Sequence, residues 1–200
     1  DVGLSTLPRF ERPEATNNLP PTTPYRFLYV GQLIHRKGVD RLLAALAAVS
    51  SDAWKLTIVG EGSRKKNLQQ QAARLGITAQ LHWHGSLPSA ELSTYYQQAD
   101  CLVLPSRWDG WGMTVNESLR YGCDVLLTMT CGAASVFPQA AQLPRNSKQW
   151  TSYLQARLRS GRLPLEARVA NQQRANSLSC EAGVARLKAV LIANVTQDRC

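Results

Sequence analysis

Short apolar runs alternate along the chain with longer segments whose apolar residues recur at helical spacing. Runs of four or five residues rich in Leu, Val and Ile are typical of strands that are buried on both faces of a sheet. Strands that alternate with helices of ten or more residues imply β-α-β units. We therefore predict an α/β fold, a Rossmann-like parallel sheet with helices on both faces. The predicted strands are 26–30, 55–59, 80–84, 101–104 and 125–129.

The helical segments have start and stop residues of the expected kinds. We predict helices over 39–49 and 63–75, and a further helix that opens near Met113 and ends before Gly122. Pro88 should end the third strand, and Ser89 should cap the helix that follows. From about residue 148 the chain is predicted to be helical only, in three pieces, the last over 180–194 behind a Ser179 cap.

The first 24 residues differ from the rest, because five prolines lie among Thr and Asn. We read 1–24 as a linker and 25–200 as one domain, since two hundred residues suit a single core. The chain begins without Met, so we expect a fragment or a processed product. Its first residues do not resemble a signal peptide, and no apolar run approaches the roughly 20 residues that a membrane-spanning helix needs.

The charge balance favours acidic partners. The chain has 23 Lys and Arg against 14 Asp and Glu, a formal charge of +9 and a pI near 9.7. Phosphorylated ligands and anionic lipid surfaces both fit such a balance. Nucleic acid is not expected as a partner, because no RNA-binding motif or zinc-finger spacing is present.

Cysteine and histidine usage argues for thiols in a reduced compartment and against a metal site. The five cysteines are an odd number without a Cys-x-x-Cys pair, so most of them should be structural thiols. His82 and His84 would share one face of a strand, but no nearby Cys, Asp or Glu completes a ligand set. We therefore expect no metal.

Polar or glycine-bearing loops follow four of the predicted strands, at 31–38, 60–63, 85 and 105–112. Because ligands of open α/β sheets bind at the carboxyl ends of the strands, these loops predict one binding rim.

The segment 105–122 is the most informative of the four. Asp109 and Glu117 flank a loop with Gly110 and Gly112, just where a helix opens near Met113. Glycines allow close approach to a ligand, a helix N-terminus offers free N–H groups to anions, and a carboxylate accepts from hydroxyls. These features predict a pocket for a molecule with both phosphate and sugar hydroxyls.

Two common nucleotide motifs fail. Gly60-Glu61-Gly62 lacks the third glycine of a dinucleotide fingerprint, because Lys65 stands in its place. Lys37 precedes its glycine, so the loop that contains it is not a P-loop. A dehydrogenase or an NTPase is therefore not expected.

Five stretches of this chain follow one another in the order and spacing of a known enzyme family. They are Phe27 to Val39 (first strand and phosphate loop), Ile58 to Gly62 (second-strand turn), Ala99 to Ser106 (strand before the active-site loop), Asp109 to Glu117 (an E-x7-E element) and Leu178-Ser179-Cys180-Glu181 (a helix start). Over about 25–195 the chain resembles the donor-binding C-terminal domain of retaining glycosyltransferases of the GT-B fold, the group 1 or family 4 class.

The resemblance implies a role for each matching residue. Lys37 and Asp109 would be catalytic, with Lys37 on the diphosphate of a nucleotide sugar and Asp109 on hydroxyls of the transferred sugar. Glu117 would accept both ribose hydroxyls. The backbone at Gly112, Met113 and Thr114 would bind phosphate or sugar oxygens, and Gly62 with 84–87 would wall the base. Gln32 stands where the family usually has Arg, so stabilisation of the leaving group would either be weaker or come from Arg36.

Each role has a plain structural alternative. Lys37 would then be a surface lysine, Glu117 a salt-bridge partner on a helix face, and Asp109 a turn-forming residue before Gly110. The chain also departs from the family pattern. Asp109 is one methylene shorter than the usual Glu, and Ser135 stands where a later motif has an acid.

The resemblance implies a hexosyltransferase that uses a UDP- or GDP-sugar donor, retains the anomeric configuration and needs no cofactor or metal. The acceptor would be a glycan, a lipid-linked sugar or a protein. An N-terminal domain of the same protein, absent from this chain, would hold the acceptor, so this half alone should be inactive or weakly active. The location would be cytoplasmic, and the charge suits the membrane face. Two alternatives stay open: a nucleotide-sugar binding module without activity, and an epimerase or phosphorylase of the same fold.

Overall fold

Six parallel strands form the sheet of this protein. The computed structural model describes residues 24–137 and 141–177. The strands are β1 (Tyr25–Val30), β2 (Trp54–Val59), β3 (Leu81–His84), β4 (Cys101–Leu104), β5 (Asp124–Thr128) and β6 (Gln142–Leu143). Their order across the sheet is β3-β2-β1-β4-β5-β6. The chain therefore crosses over after β3, next to β1, and the predicted parallel α/β fold is confirmed.

Within the described ranges, six α-helices connect or follow the strands. They are α1 (Val39–Ala47), α2 (Lys65–Arg74), α3 (Ser89–Gln98), α4 (Met113–Arg120), α5 (Trp150–Ser160) and α6 (Leu165–Ser177). None of the described helices is both long and apolar enough to cross a bilayer. The predicted helix over 180–194 with its Ser179 cap, and the predicted linker except Pro24, lie outside the described residues.

Two details of the predicted elements were wrong. Ser89 does not cap α3: the carbonyl of Pro88 accepts the first helical hydrogen bonds, so Pro88 takes the cap position and Ser89 is already the first helical residue. β6 was not predicted at all. It consists of Gln142 and Leu143 only, which is too short for any periodicity to show.

The core has two layers, one on each face of the sheet. Phe27 and Tyr29 of β1 pack on one face, in the layer that includes residues of α1, α2 and α5. Leu28 and Val30 point to the other face, in the layer that includes residues of α3, α4 and α6. Because β1 is covered on both sides, its sequence is a nearly continuous apolar run.

Glycines allow the loops after β1 and β2 to touch. Gly60 has φ +144°, and an ideal Cβ there would lie 1.9 Å from the carbonyl oxygen of Gly31. At Gly62 the same atom would lie 2.5 Å from the carbonyl oxygen of Leu33. Two backbone hydrogen bonds join the same loops, from Leu33 to Glu61 at 2.8 Å and from Arg64 to Leu33 at 2.9 Å. The backbone of the loop after β1 therefore packs directly against the backbone of the loop after β2.

This contact predicts that Gly60→Ala destabilises the fold by about 3 kcal/mol, because the methyl group adds a backbone clash to the cost of the unusual φ. Gly76→Ala is the matched control. Gly76 also has a positive φ, +73°, but nothing lies within 4 Å of its added Cβ, so it should cost only about 1–2 kcal/mol. Denaturant unfolding of both variants measures the difference. Equal losses would show that the loops tolerate the methyl group.

Candidate functional site

The loops that follow β1 and β4 are joined at the carboxyl edge of the sheet. The amide of Arg107 donates to the carbonyl of Arg36 at 2.8 Å, and Arg41 Nη2 donates to the carbonyl of Pro105 at 2.8 Å. Gly38 sits directly on this second loop, since a Cβ at Gly38 would lie 2.1 Å from the Pro105 carbonyl oxygen. Two of the four loops predicted to form the rim are thus in direct contact.

An ion pair between Arg107 and Asp40 reinforces the junction. The guanidinium of Arg107 donates to both oxygens of Asp40, at 2.8 and 2.6 Å. Burial alone would raise the pKa of Asp40, but the hydrogen bonds and charge of Arg107 outweigh it and hold that pKa below its usual value. Sequence reasoning missed both residues, since 67 positions separate them and neither belongs to a recognisable motif.

The two residues predicted to be catalytic contact each other. Lys37 ends a short 3₁₀ turn, His35–Lys37, and its Nζ donates to Asp109 Oδ2 at 2.5 Å. Their side chains are 17% and 10% exposed. Ser106 Oγ donates to the same carboxylate oxygen at 3.3 Å. Lys37 is therefore not a solvated surface lysine.

The ion pair with Asp109 affects how Lys37 would bind a phosphate. Asp109 neutralises Lys37, so a phosphate that approached Lys37 would compete with Asp109 for its protons. A charge-assisted hydrogen bond of this kind contributes about 1.5–3 kcal/mol. The ammonium group is thus held in place at the rim by a partner that an anion would have to replace or share.

The N-terminus of α4 faces the same rim without a side-chain cap. Gly112 occupies the cap position with φ +90°, and a Cβ there would lie 2.7 Å from both Cys131 Sγ and Leu104 Cδ2. Met113 is exposed, whereas Thr114 Oγ1 is buried and has no hydrogen-bond partner among residues 24–137 and 141–177. Uncapped N–H groups at a helix start carry partial positive charge, which suits an anion.

Glu117 lies one turn into α4 and is held by a tyrosine. Tyr96 Oη donates to Glu117 Oε2 at 2.6 Å, and the Tyr96 ring stacks on that of Tyr121 with centroids 5.8 Å apart. Burial, with the nearby Glu117, raises the pKa of Tyr96, so the phenol keeps its proton and donates it. The salt-bridge alternative for Glu117 finds no cationic partner within the described ranges.

The remaining predicted residues are placed at the same edge but serve different contacts. Gln32 is exposed, and its carbonyl accepts from Tyr29 Oη at 2.8 Å. Arg36 donates to the carbonyl of Trp108 at 3.1 Å, and its guanidinium lies 5.5 Å from the centre of the Trp108 ring. Gly62 packs on Leu33, as described above.

A cavity of about 210 Å³ opens where β1 and β2 end. Its lining includes Gln32, Gly60, Glu61, Ser86 and Leu87. It thus includes part of the stretch 84–87 that was predicted to wall a base. The cavity is separate from the Lys37–Asp109 pair but belongs to the same row of loops.

The segment after β5 supports the Asp109 loop from behind. The Asp109 amide donates to the Thr130 carbonyl at 3.2 Å, and the Gly132 amide donates to the Asp109 carbonyl at 3.1 Å. A Cβ at Gly132 would lie 2.0 Å from the Gly110 carbonyl oxygen. Ser135, which stands where the family has an acid, is exposed and donates to the Gly132 carbonyl at 3.0 Å. This loop therefore positions Asp109 through its backbone.

His84, one of the two histidines weighed above as metal ligands, lies next to a tyrosine: its Nδ1 is 3.3 Å from Tyr95 Oη. In the part of the chain that the structure describes, no group of three or more His, Cys, Asp or Glu side chains is placed to hold a metal ion. Cys101, Cys123 and Cys131 are free and buried, whereas Cys180 and Cys200 lie outside the described residues.

The sequence of this chain is similar to those of known proteins. The sequence model of a family described as "Glycosyl transferases group 1" matches residues 11–155. A glycogen synthase of Mycobacterium tuberculosis is 34% identical over 105 residues, which is 52% of this chain and 25% of that protein. The matched part is thus only about a quarter of that relative's length.

Solved structures share the fold. The C-terminal domain of a glycosyl transferase group 1 family protein (LpcC) from Francisella tularensis has a TM-score of 0.63 at 21% identity, covering 76% of this chain and 82% of that one. Anabaena HepE in complex with UDP has a TM-score of 0.73 at 17% identity, covering 87% of this chain and 50% of that one. HepE was also solved with UDP-glucose.

Proposed function

Because this chain belongs to the group 1 glycosyl transferases, we propose that it is the donor-binding half of a retaining hexosyltransferase that uses a nucleotide diphosphosugar. The observation that carries the proposal is the pairing of Lys37 with Asp109 beside the uncapped N-terminus of α4. This arrangement puts a cation and free N–H groups where a diphosphate would leave. The solved complexes of HepE with UDP and UDP-glucose support a donor of the same chemical class.

Lys37 would stabilise the departing diphosphate. When the bond between the anomeric carbon and the phosphate oxygen breaks, negative charge develops on that oxygen. A preorganised ammonium and a helix N-terminus stabilise such charge without moving in the reaction. On this proposal the diphosphate would take over the hydrogen bond that Asp109 now accepts, and no metal would be required.

Asp109 would then turn to the transferred sugar. Its backbone is held by the segment after β5, and its carboxylate also accepts from Ser106 Oγ, so the residue would stay at the rim when Lys37 changes partner. A carboxylate accepts hydrogen bonds from sugar hydroxyls, which fits the role that the resemblance implies for this position.

Glu117 would bind the ribose. Tyr96 occupies Oε2, and the carboxylate retains further lone pairs for two hydroxyl donors. The cavity beside Gln32 and Gly60 would take the base, since its lining includes the apolar residues Val59, Leu87 and Leu92.

A binding module without transfer activity is the second candidate. It is favoured by Gln32, which brings no charge to the phosphate loop, and by Arg36, which is already engaged with Trp108. Both candidates bind the donor, so binding does not separate them. Transfer by the parent protein with its acceptor-binding half would separate them.

We also propose an acceptor and a location. A glycan, a lipid-linked sugar or a protein would receive the hexose, and an N-terminal domain of the same protein would hold this acceptor. The formal charge of +9 favours work at the cytoplasmic face of an anionic membrane.

We predict that Lys37→Ala weakens binding of UDP- or GDP-linked sugars at least tenfold, because the diphosphate loses its ammonium partner. Isothermal titration of the purified chain measures the effect. Lys55→Ala is the charge-matched control: Lys55 lies at the opposite end of β2 and donates to the carbonyl of Ala79. If Lys37→Ala and Lys55→Ala bind the donor equally well, Lys37 does not contact the diphosphate.

We also predict that Glu117→Gln weakens binding of the nucleotide by about tenfold and leaves binding of the free sugar unchanged, because only the nucleotide carries ribose hydroxyls. Glu91→Gln, an exposed residue in the first turn of α3, serves as the control. Competition titrations with nucleotide and free hexose give the two affinities. An equal loss for both ligands would contradict ribose recognition by Glu117.

A further inference from the structure

A second cavity lies behind the segment that carries Asp109. Its volume is about 220 Å³, and it opens at the ends of β5 and β6. None of the residues around it was among the predicted site residues, and none of them lines the cavity beside Gln32. The lining residues are Arg41, Arg107, Thr128, Met129, Thr130 and Arg145.

The charge of this cavity is strongly positive. Three of its six lining residues are arginines, and none is acidic. Asp40 does not line the cavity, but its carboxylate forms an ion pair with Arg107. Three guanidinium groups therefore share one carboxylate, which leaves an excess of about two positive charges. Like charges in one partly buried space repel one another, and an anion would relieve that repulsion.

Arg41 has hydrogen-bonding capacity left over. Its guanidinium lies 4.6 Å from the centre of the Trp150 ring and donates through Nη2 to Pro105. Its Nε is buried and has no partner among residues 24–137 and 141–177. Burial, followed by the nearby charge of Arg107, lowers the pKa of Arg41. This environment is costly for a cation without a counterion.

Arg145 is more exposed than the other two arginines of the cavity, and within the described ranges it makes no hydrogen bond or ion pair. Its guanidinium is therefore available to a ligand, whereas those of Arg41 and Arg107 already donate to protein groups. Guanidinium groups bind phosphate through two parallel hydrogen bonds, which makes phosphate the oxyanion that fits best.

We propose that this cavity binds a phosphate group carried by the acceptor molecule, at a site separate from the donor site, while the N-terminal domain would hold the rest of the acceptor. The volume is below the 300–1,000 Å³ of pockets that enclose a whole ligand, so a single phosphate group would enter while the rest of the molecule stays outside. The binding of phosphate here depends only on the arginines, whereas its assignment to the acceptor rests on the function proposed above.

The position next to Asp109 explains why the acceptor is the source. Arg107 is two residues from Asp109, and Arg41 holds the Pro105 carbonyl of the same segment. The Thr128 and Thr130 hydroxyls donate to the carbonyl of Ser106, at 2.6 and 3.0 Å. Ser106 in turn contacts Asp109. A phosphate held by the arginines would therefore fix its molecule beside the carboxylate that faces the transferred sugar.

The test is a titration of the chain with methyl phosphate, a phosphate group attached to carbon, after UDP has been added to saturation. The Nε–Hε signal of Arg41 in a ¹H–¹⁵N spectrum reports the second cavity, because Arg41 lines that cavity and does not line the cavity beside Gln32. We expect this signal to shift in a saturable way, and Arg145→Gln to weaken the affinity about fivefold. Arg74→Gln, an exposed arginine of α2, should leave the affinity unchanged.

Three results would overturn the proposal. The first is an Arg41 signal that does not move with methyl phosphate. The second is an equal affinity of the Arg145→Gln and Arg74→Gln variants for methyl phosphate, and the third is binding of inorganic phosphate without binding of methyl phosphate, which identifies a site for the free ion. The binding of UDP is measured separately. If UDP fails to bind, the titration is run without it, so failure of the donor site does not hide the result at the arginines.

Discussion

The contact between the loops after β1 and β4 is the constraint on which the site depends. β1 and β4 are neighbours in a parallel sheet, so the loops at their carboxyl ends emerge side by side. Gly38 removes the Cβ that would keep these loops apart, and the Arg107–Asp40 ion pair fastens them. Lys37 and Asp109, 72 residues apart in the chain, consequently meet within hydrogen-bond distance. Loosening this junction would separate the cation from its counterion.

The sequence predicted the sheet because its strands are buried on both faces. Continuous apolar runs such as Cys101–Leu104 leave few other structures available. It also located Lys37, Asp109 and Glu117 on one rim, since parallel strands put their carboxyl ends on the same side. The partners of these residues were not predictable. No local pattern ties Tyr96 to Glu117, and the Ser89 cap failed because the preceding Pro88 carbonyl had already taken that position.

Positive charge is concentrated at two places on the rim. One is Lys37 near the N-terminus of α4, and the other is the group of arginines that lines the second cavity. The segment 105–109 runs between these two places and contacts both. A chain with 23 basic and 14 acidic residues thus concentrates part of its excess positive charge at these two places.

A crystal structure of the chain with a bound UDP-sugar tests the central claim most directly. On this claim, Lys37 gives up its hydrogen bond to Asp109 and donates to the diphosphate instead. We expect a phosphate oxygen within about 3 Å of Lys37 Nζ, with the Asp109 carboxylate turned toward the sugar. A nucleotide sugar bound elsewhere on the chain, with the Lys37–Asp109 hydrogen bond intact, would contradict the account.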